Sequence, residues 1–105
     1  MEQESGTTSV SLENGQRLKI LHGAVSKVQL VFDVDGAEWY QTHVTYQDGY
    51  VYVFTGFSWG YFGEGPQGLA TWARENSVFL VPSEISRLSN VTSGVIWEWE
   101  NPEKG

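Results

Sequence analysis

The stretch KVQLVFDVDGAEWYQTHVTYQDGYVYVFT, residues 27–55, decides the fold. Its first part alternates, with Val28, Leu30, Phe32 and Val34 on one face of an extended chain and Lys27, Gln29, Val31 and Asp33 on the other. A period of two predicts a half-buried strand over residues 27–35. Asp35-Gly36 follows, and Asp-Gly supplies the positive φ angles that a type I′ hairpin turn requires. Residues 38–46 return with Tyr40, Val44 and Tyr46 facing one way and Trp39, Gln41, His43 and Thr45 the other. Asp48-Gly49 repeats the turn chemistry, and residues 50–55 set Tyr50, Tyr52 and Phe54 against Val51, Val53 and Thr55. Three β-rich segments joined by two Asp-Gly turns predict an antiparallel meander.

Outward from the meander the signals are shorter. Residues 1–11 are polar and aperiodic and read as a flexible arm. Glu13-Asn14-Gly15-Gln16 reads as a turn, and the alternation of Arg17-Leu18-Lys19-Ile20-Leu21 as a short strand. On the C-terminal side one helix stands out. Pro66 suits its first position, Leu69, Trp72 and Ala73 form an i, i+3, i+4 stripe, Arg74 complements the last turn and Asn76 can take the left-handed stop. Such a short helix must dock on the sheet to be stable. Val78-Phe79-Leu80-Val81 reads as a buried strand, and residues 82–88 as one helical turn capped by Ser83. Residues 95–100 form the last strand, with Val95, Trp97 and Trp99 toward the core and Ile96, Glu98 and Glu100 opposite. Residues 101–105 are a tail. The expected architecture is α+β: a twisted antiparallel meander sheet with one main helix packed on it, in a single domain over residues 12–100.

Composition excludes several classes of function. A chain of 105 residues, 40% hydrophobic and 18% charged, is long enough to bury a core and belongs with globular domains. It contains no cysteine, which removes disulfides, thiolate zinc sites and cysteine nucleophiles together. No apolar run approaches the length of a membrane span, and the opening Met1-Glu2-Gln3-Glu4 is acidic, unlike a secretory or transit leader, so a cytoplasmic address is expected. Thirteen acids against six bases give a net charge of −7. The chain as a whole repels phosphate backbones, and direct nucleic-acid binding is not expected.

The most unusual segment is Phe57-Ser58-Trp59-Gly60-Tyr61-Phe62-Gly63-Glu64-Gly65-Pro66. Glycines ahead of a helix let the backbone approach a ligand, and free N–H groups at the helix start attract anions. On that reading Trp59, Tyr61, Gly63, Gly65 and Gln67 line a small-ligand site. Against it, Glu64 stands where an anion would sit, Pro66 removes a donor, and no lysine completes a phosphate loop. The alternative is structural: the glycines permit a sharp strand-to-helix reversal and the rings plug the sheet. Gly56-Phe57-Ser58-Trp59-Gly60 matches the G-x-S-x-G nucleophile pattern in letters, but the parallel-sheet context that pattern needs is missing. His22 and His43 lack the spacing of a metal site, so no metal or cofactor is expected. Asp33 with Asp35, and Glu98 with Glu100, are same-face carboxylate pairs that could do acid–base work, although alternating acids also describe a solvated sheet face.

The run Trp59-Gly60-Tyr61-Phe62-Gly63-Glu64-Gly65-Pro66-Gln67-Gly68-Leu69-Ala70 resembles a W-G-Y-x-G-x-G-P-x-x-L-A segment of short proteins from bacteria, phages and other mobile elements. It covers roughly a ninth of the chain. That family has no established activity, so the resemblance carries over no catalytic residue. It implies a recurring strand–loop–helix joint and an origin in a mobile element.

Three functions follow as expectations. The first is a non-enzymatic, acidic interaction module that meets a basic protein partner through Asp33, Asp35, Trp39, Glu98 and Glu100, since aromatic anchors rimmed by acids suit such a partner. With a mobile-element origin, its natural form is an inhibitor of a host nucleic-acid-handling defence protein. The second is a nucleotide- or anion-sequestering protein using the Gly-aromatic loop. The third, a carboxylate-dependent hydrolase, has no nucleophile–base pair to name. Exposed strand edges also leave room for pairing with a second copy.

Overall fold

The computed structural model describes residues 2–4 and 7–102. Its centre is the expected meander: β2 (Val25–Phe32), β3 (Tyr40–Tyr46) and β4 (Val51–Phe54) pair antiparallel, Val28 opposite Val44 and Val44 opposite Tyr52. β5 (Gly94–Glu100) adds antiparallel to β2, and β1 (Glu2–Gln3) adds parallel to β4, giving the five-stranded order β1-β4-β3-β2-β5. The helices are α1 (Thr8–His22), α2 (Glu64–Glu75) and α3 (Pro82–Ile85). The fold is α+β, as the patterning predicts, with a second long helix added. No helix among the described residues is long and apolar enough to cross a membrane.

One face of the sheet carries the core. Val28, Leu30, Phe32, Val44, Tyr46, Tyr52 and Phe54 pack there with Leu18 of α1 and Leu69, Trp72 and Ala73 of α2. The other face presents Lys27, Gln29, Val31, Gln41, His43 and Thr45, all half-buried.

Helix α1 replaces three sequence expectations: the last part of the arm, the turn at Gly15 and the strand over residues 17–21. The reason lies in its buried face, which is Ser11, Gly15 and Leu18 at i, i+4, i+7. Helical spacing is present but written in small residues, while Ile20 and Leu21 stay exposed and imitate a strand. Gly15 marks a close crossing rather than a turn, because a Cβ there would stand 2.7 Å from Cδ1 of Trp72. The start of the expected arm is also engaged, Glu2 opposite Tyr52 and Gln3 opposite Val53. Met1, Ser5 and Gly6 lie outside the described residues. At the far end of α1, His22 stacks on Tyr50 with ring centroids 3.9 Å apart and places Nδ1 2.6 Å from Asp48 Oδ2. That hydrogen bond, aided by the Tyr50 backbone N–H, holds the Asp48 carboxyl below its ordinary range.

The two Asp-Gly sites form different turns from the expected pair. Gly49 has φ 91° and its N–H donates to the Tyr46 carbonyl at 2.9 Å, closing a three-residue loop with a bulge instead of a type I′ turn. At the first site Asp33 takes over. Its carbonyl accepts the Gly36 N–H at 3.1 Å, and its Oδ1 accepts the Asp35 N–H at 3.2 Å, so the connection widens to residues 33–39.

Helix α2 starts two residues before Pro66, which still lies in the first turn where its missing N–H costs nothing. The left-handed residue at its end is Ser77 (φ 58°), not Asn76. Ser77 N–H donates to Arg74 O and Val78 N–H to Ala73 O, the paired bonds of a Schellman stop. Residues 78–81 do not join the sheet, and the Leu80 N–H turns back to the Val78 carbonyl at 3.0 Å; Val78 and Leu80 are buried while Phe79 and Val81 are exposed, so the expected buried strand is a half-buried strap. α3 begins on Pro82 with Val81 in the capping position, which displaces Ser83 from that role. In β5, Leu30 opposes Trp97 while Val31 opposes Val95, leaving Ile96 as a bulge. Trp97 and Trp99 sit at the rim of the core, half-buried. Of the expected tail, Asn101 is tied back by its N–H to Ser26 O at 2.9 Å, and residues 103–105 lie outside the described residues.

The α1–α2 crossing gives a direct test. Gly15→Val places a branched side chain against the buried Trp72 ring and is expected to cost about 1–3 kcal/mol through overpacking. Gln16→Val, on the exposed side of the same turn, is expected to cost well under about 1 kcal/mol. Urea unfolding of the two variants compares them directly.

Candidate functional site

The strand–loop–helix joint is built from close contacts. Trp59 is fully buried, donates from Nε1 to Ser89 O at 2.8 Å and meets Tyr40 edge-to-face at 4.9 Å. A Cβ at Gly65 would strike Ser58 Oγ, and one at Gly68 would strike Thr8 Cγ2, so both glycines let the start of α2 lie against its neighbours. Gly60 (φ 88°) packs under Asn90, and Gly63 lies beneath the Tyr61 ring. Ser58 shares a 2.7 Å hydrogen bond with the Tyr61 hydroxyl, so the formal G-x-S-x-G serine is partnered by a phenol rather than a histidine.

Of Trp59, Tyr61, Gly63, Gly65 and Gln67, Trp59 is buried, and Tyr61, Gly63 and Gly65 are drawn together around Ser58 by packing. Gln67 lines an open groove of about 220 Å³, shared with Thr8, Ser9, Leu12, Glu64, Gly68 and Thr71. The Glu64 carboxylate in that groove disfavours anions. Among the described residues no three His, Asp or Glu side chains gather as a metal site.

The second set of residues is distributed along the β2–β5 border of the sheet. Val34 N–H donates to Ser93 Oγ at 3.0 Å, which brings the loop of Asp33 and Asp35 beside the start of β5. Glu98 and Glu100 lie further along the same strand, opposite Gln29 and Lys27. Seven residues of strand span about 23 Å. Glu98 is held by Gln29 Nε2 and by Lys27 Nζ at 3.6 Å, and both Glu98 and Glu100 are exposed. Asp33 is committed to its own turn. Trp39 is 55% exposed but sits edge-on to Phe32, a core-face residue, at 6.5 Å. It precedes β3, so strand alternation does not place it on the polar face. On that polar face His43 bonds Gln41 Oε1 at 3.0 Å, and burial pushes its pKa below the ordinary value.

A third constellation has no sequence signature. Glu4, 8% exposed, is held by Ser11, Asn14, Tyr52 and Thr55, positions brought together only by the fold.

The geometry defines a small α+β domain with helices on one face of an antiparallel sheet and a carboxylate-bearing edge strand. No protein-family model, curated protein or solved structure matches the chain.

The depressed His43 pKa has a measurable sign. The unfolded chain binds this proton more readily than the folded one, so stability falls as pH drops through the imidazole range. His43→Gln is expected to flatten part of the decline in urea midpoint between about pH 7.5 and 5.5. Parallel curves for the two proteins would contradict this.

Proposed function

We propose that this chain is a non-enzymatic interaction module whose binding surface is the β5 edge, and that its partner is a basic protein. The observation that carries the reading is the edge itself. Among the described residues β5 pairs with β2 alone, so its outer N–H and C=O groups face a free border. That border carries half-buried Trp97 and Trp99 on one face and Glu98 and Glu100 on the other. An extended partner segment can add there by main-chain hydrogen bonds, with the indoles as apolar anchors and the carboxylates meeting lysine or arginine. Asp35 and Trp39 extend the surface at the end where the 33–39 loop meets Ser93. Self-pairing across this edge would bring carboxylates of two copies together, which favours a basic partner over a second copy.

The burial of Trp59 supports a folding role for the Gly-aromatic segment over a small-ligand site. In its finer form the proposal makes the partner a host nucleic-acid-handling protein, met by a mobile element's inhibitor acting in the cytoplasm. Acids on one face of a strand recur about every 6.6 Å and can occupy a groove built for phosphates.

The test is co-purification from the native host with tagged wild type and with Glu98→Lys/Glu100→Lys. A stoichiometric basic protein held by wild type, with affinity reduced about tenfold or more by the double reversal, is the expected result. Capture that is indifferent to the reversal overturns the proposal.

A further inference from the structure

The opposite border of the sheet holds a different kind of site. Glu4 follows β1 and is recognised through every polar group it has. Its backbone N–H donates to Val53 O at 3.2 Å, and its carbonyl accepts from Thr55 Oγ1 at 3.0 Å. Its carboxylate oxygens each accept two donors. Oε1 takes Asn14 Nδ2 at 2.9 Å and the Tyr52 hydroxyl at 3.1 Å; Oε2 takes the Ser11 hydroxyl and the Thr55 N–H at 3.3 Å. All four donors are neutral. Positive charge enters one step back, where Arg17 donates to Asn14 Oδ1 at 3.2 Å and so turns the Asn14 amide toward the carboxylate. Gly56 completes the cradle. Its N–H donates to Ser11 Oγ at 2.9 Å, and a Cβ at this position would collide with both Ser11 Oγ and the Thr7 carbonyl.

Donors from α1 and β4 thus converge on one carboxylate while the backbone of β4 reads the chain that carries it. By contrast β1 itself is a two-residue strand, and among the described residues the side-chain hydrogen bonds that hold residues 2–4 fall on Glu4. A buried carboxylate is stable only with its hydrogen bonds made, and the cradle's donors likewise need an acceptor.

We infer that α1 and the β4 edge form a receptor for a glutamate borne on an extended peptide, and that the chain's own N-terminal segment fills it in cis. When that segment withdraws, the same donors and the freed β4 edge are complementary to an acidic peptide supplied in trans, adding parallel to β4. This site is independent of the β5 edge and of any basic partner bound there.

The experiment uses the full chain carrying Glu4→Ala, which removes the fragment corresponding to one acetate. Wild type and variant are followed by thermal unfolding in sodium acetate and in sodium chloride at equal ionic strength. The variant alone is expected to gain midpoint in acetate. A fluorescent peptide of the sequence of residues 1–6 is expected to bind the variant at least about tenfold more tightly than its own Glu4→Ala form, and more tightly than it binds wild type, whose cradle is filled. Adding Asn14→Ala to the variant should abolish both responses. If Glu4→Ala is unfolded in sodium chloride, recovery of its folded near-ultraviolet signal in sodium acetate at equal ionic strength is the expected result, and no recovery overturns the inference. Equal response to acetate and chloride together with equal binding of the two peptides overturns the inference.

Discussion

The packing of this domain depends on one indole. Trp72 of α2 is buried against Phe54 at 5.6 Å and Phe57 at 6.2 Å, and its edge occupies the space that a side chain at position 15 of α1 would need. The sheet, the joint and both long helices therefore meet at a single ring. A large flat side chain buries much apolar area, but it demands that its neighbours leave room. Gly15 leaves that room in α1, as Gly68 does where α2 passes Thr8. The helices are positioned less by interlocking large residues than by where large residues are absent.

That explains which parts of the fold were legible in sequence. The meander was, because residues 28–32 and 40–46 alternate over their full length and a strand needs no more information than that. The α2 stripe was legible for the same reason at the helical period. Helix α1 was not: Ser11, Gly15 and Leu18 carry the spacing without the hydrophobicity on which pattern reading depends. Its glycine imitates a turn. Ser77 rather than Asn76 adopts the left-handed angle because the Schellman bonds to Arg74 and Ala73 determine the stop position, and residue preference is the weaker effect. The Glu4 cradle was beyond reach in principle. Its members at 4, 11, 14, 52 and 55 share no local pattern, and only the parallel docking of β1 on β4 brings them within bonding distance.

The joint is held by close packing. In the run from Trp59 to Ala70, Trp59, Pro66, Leu69 and Ala70 are buried, and Gly65 lies tight against Ser58. Phe62, within the same run, is 83% exposed. A bulky residue there takes little room from the core.

The strand order has a bearing on how the chain acquires its shape. Each edge strand is far in sequence from the strand it pairs with: Glu2 lies opposite Tyr52, and Glu100 opposite Lys27. The central hairpins β2–β3–β4 close short loops, whereas each edge must close one of about fifty or seventy residues, at greater entropic cost. On a ribosome the meander and the N-terminal edge are complete in length well before β5 emerges. Until then β2 is itself a border, and β5 covers it only after the rest of the sheet is in place.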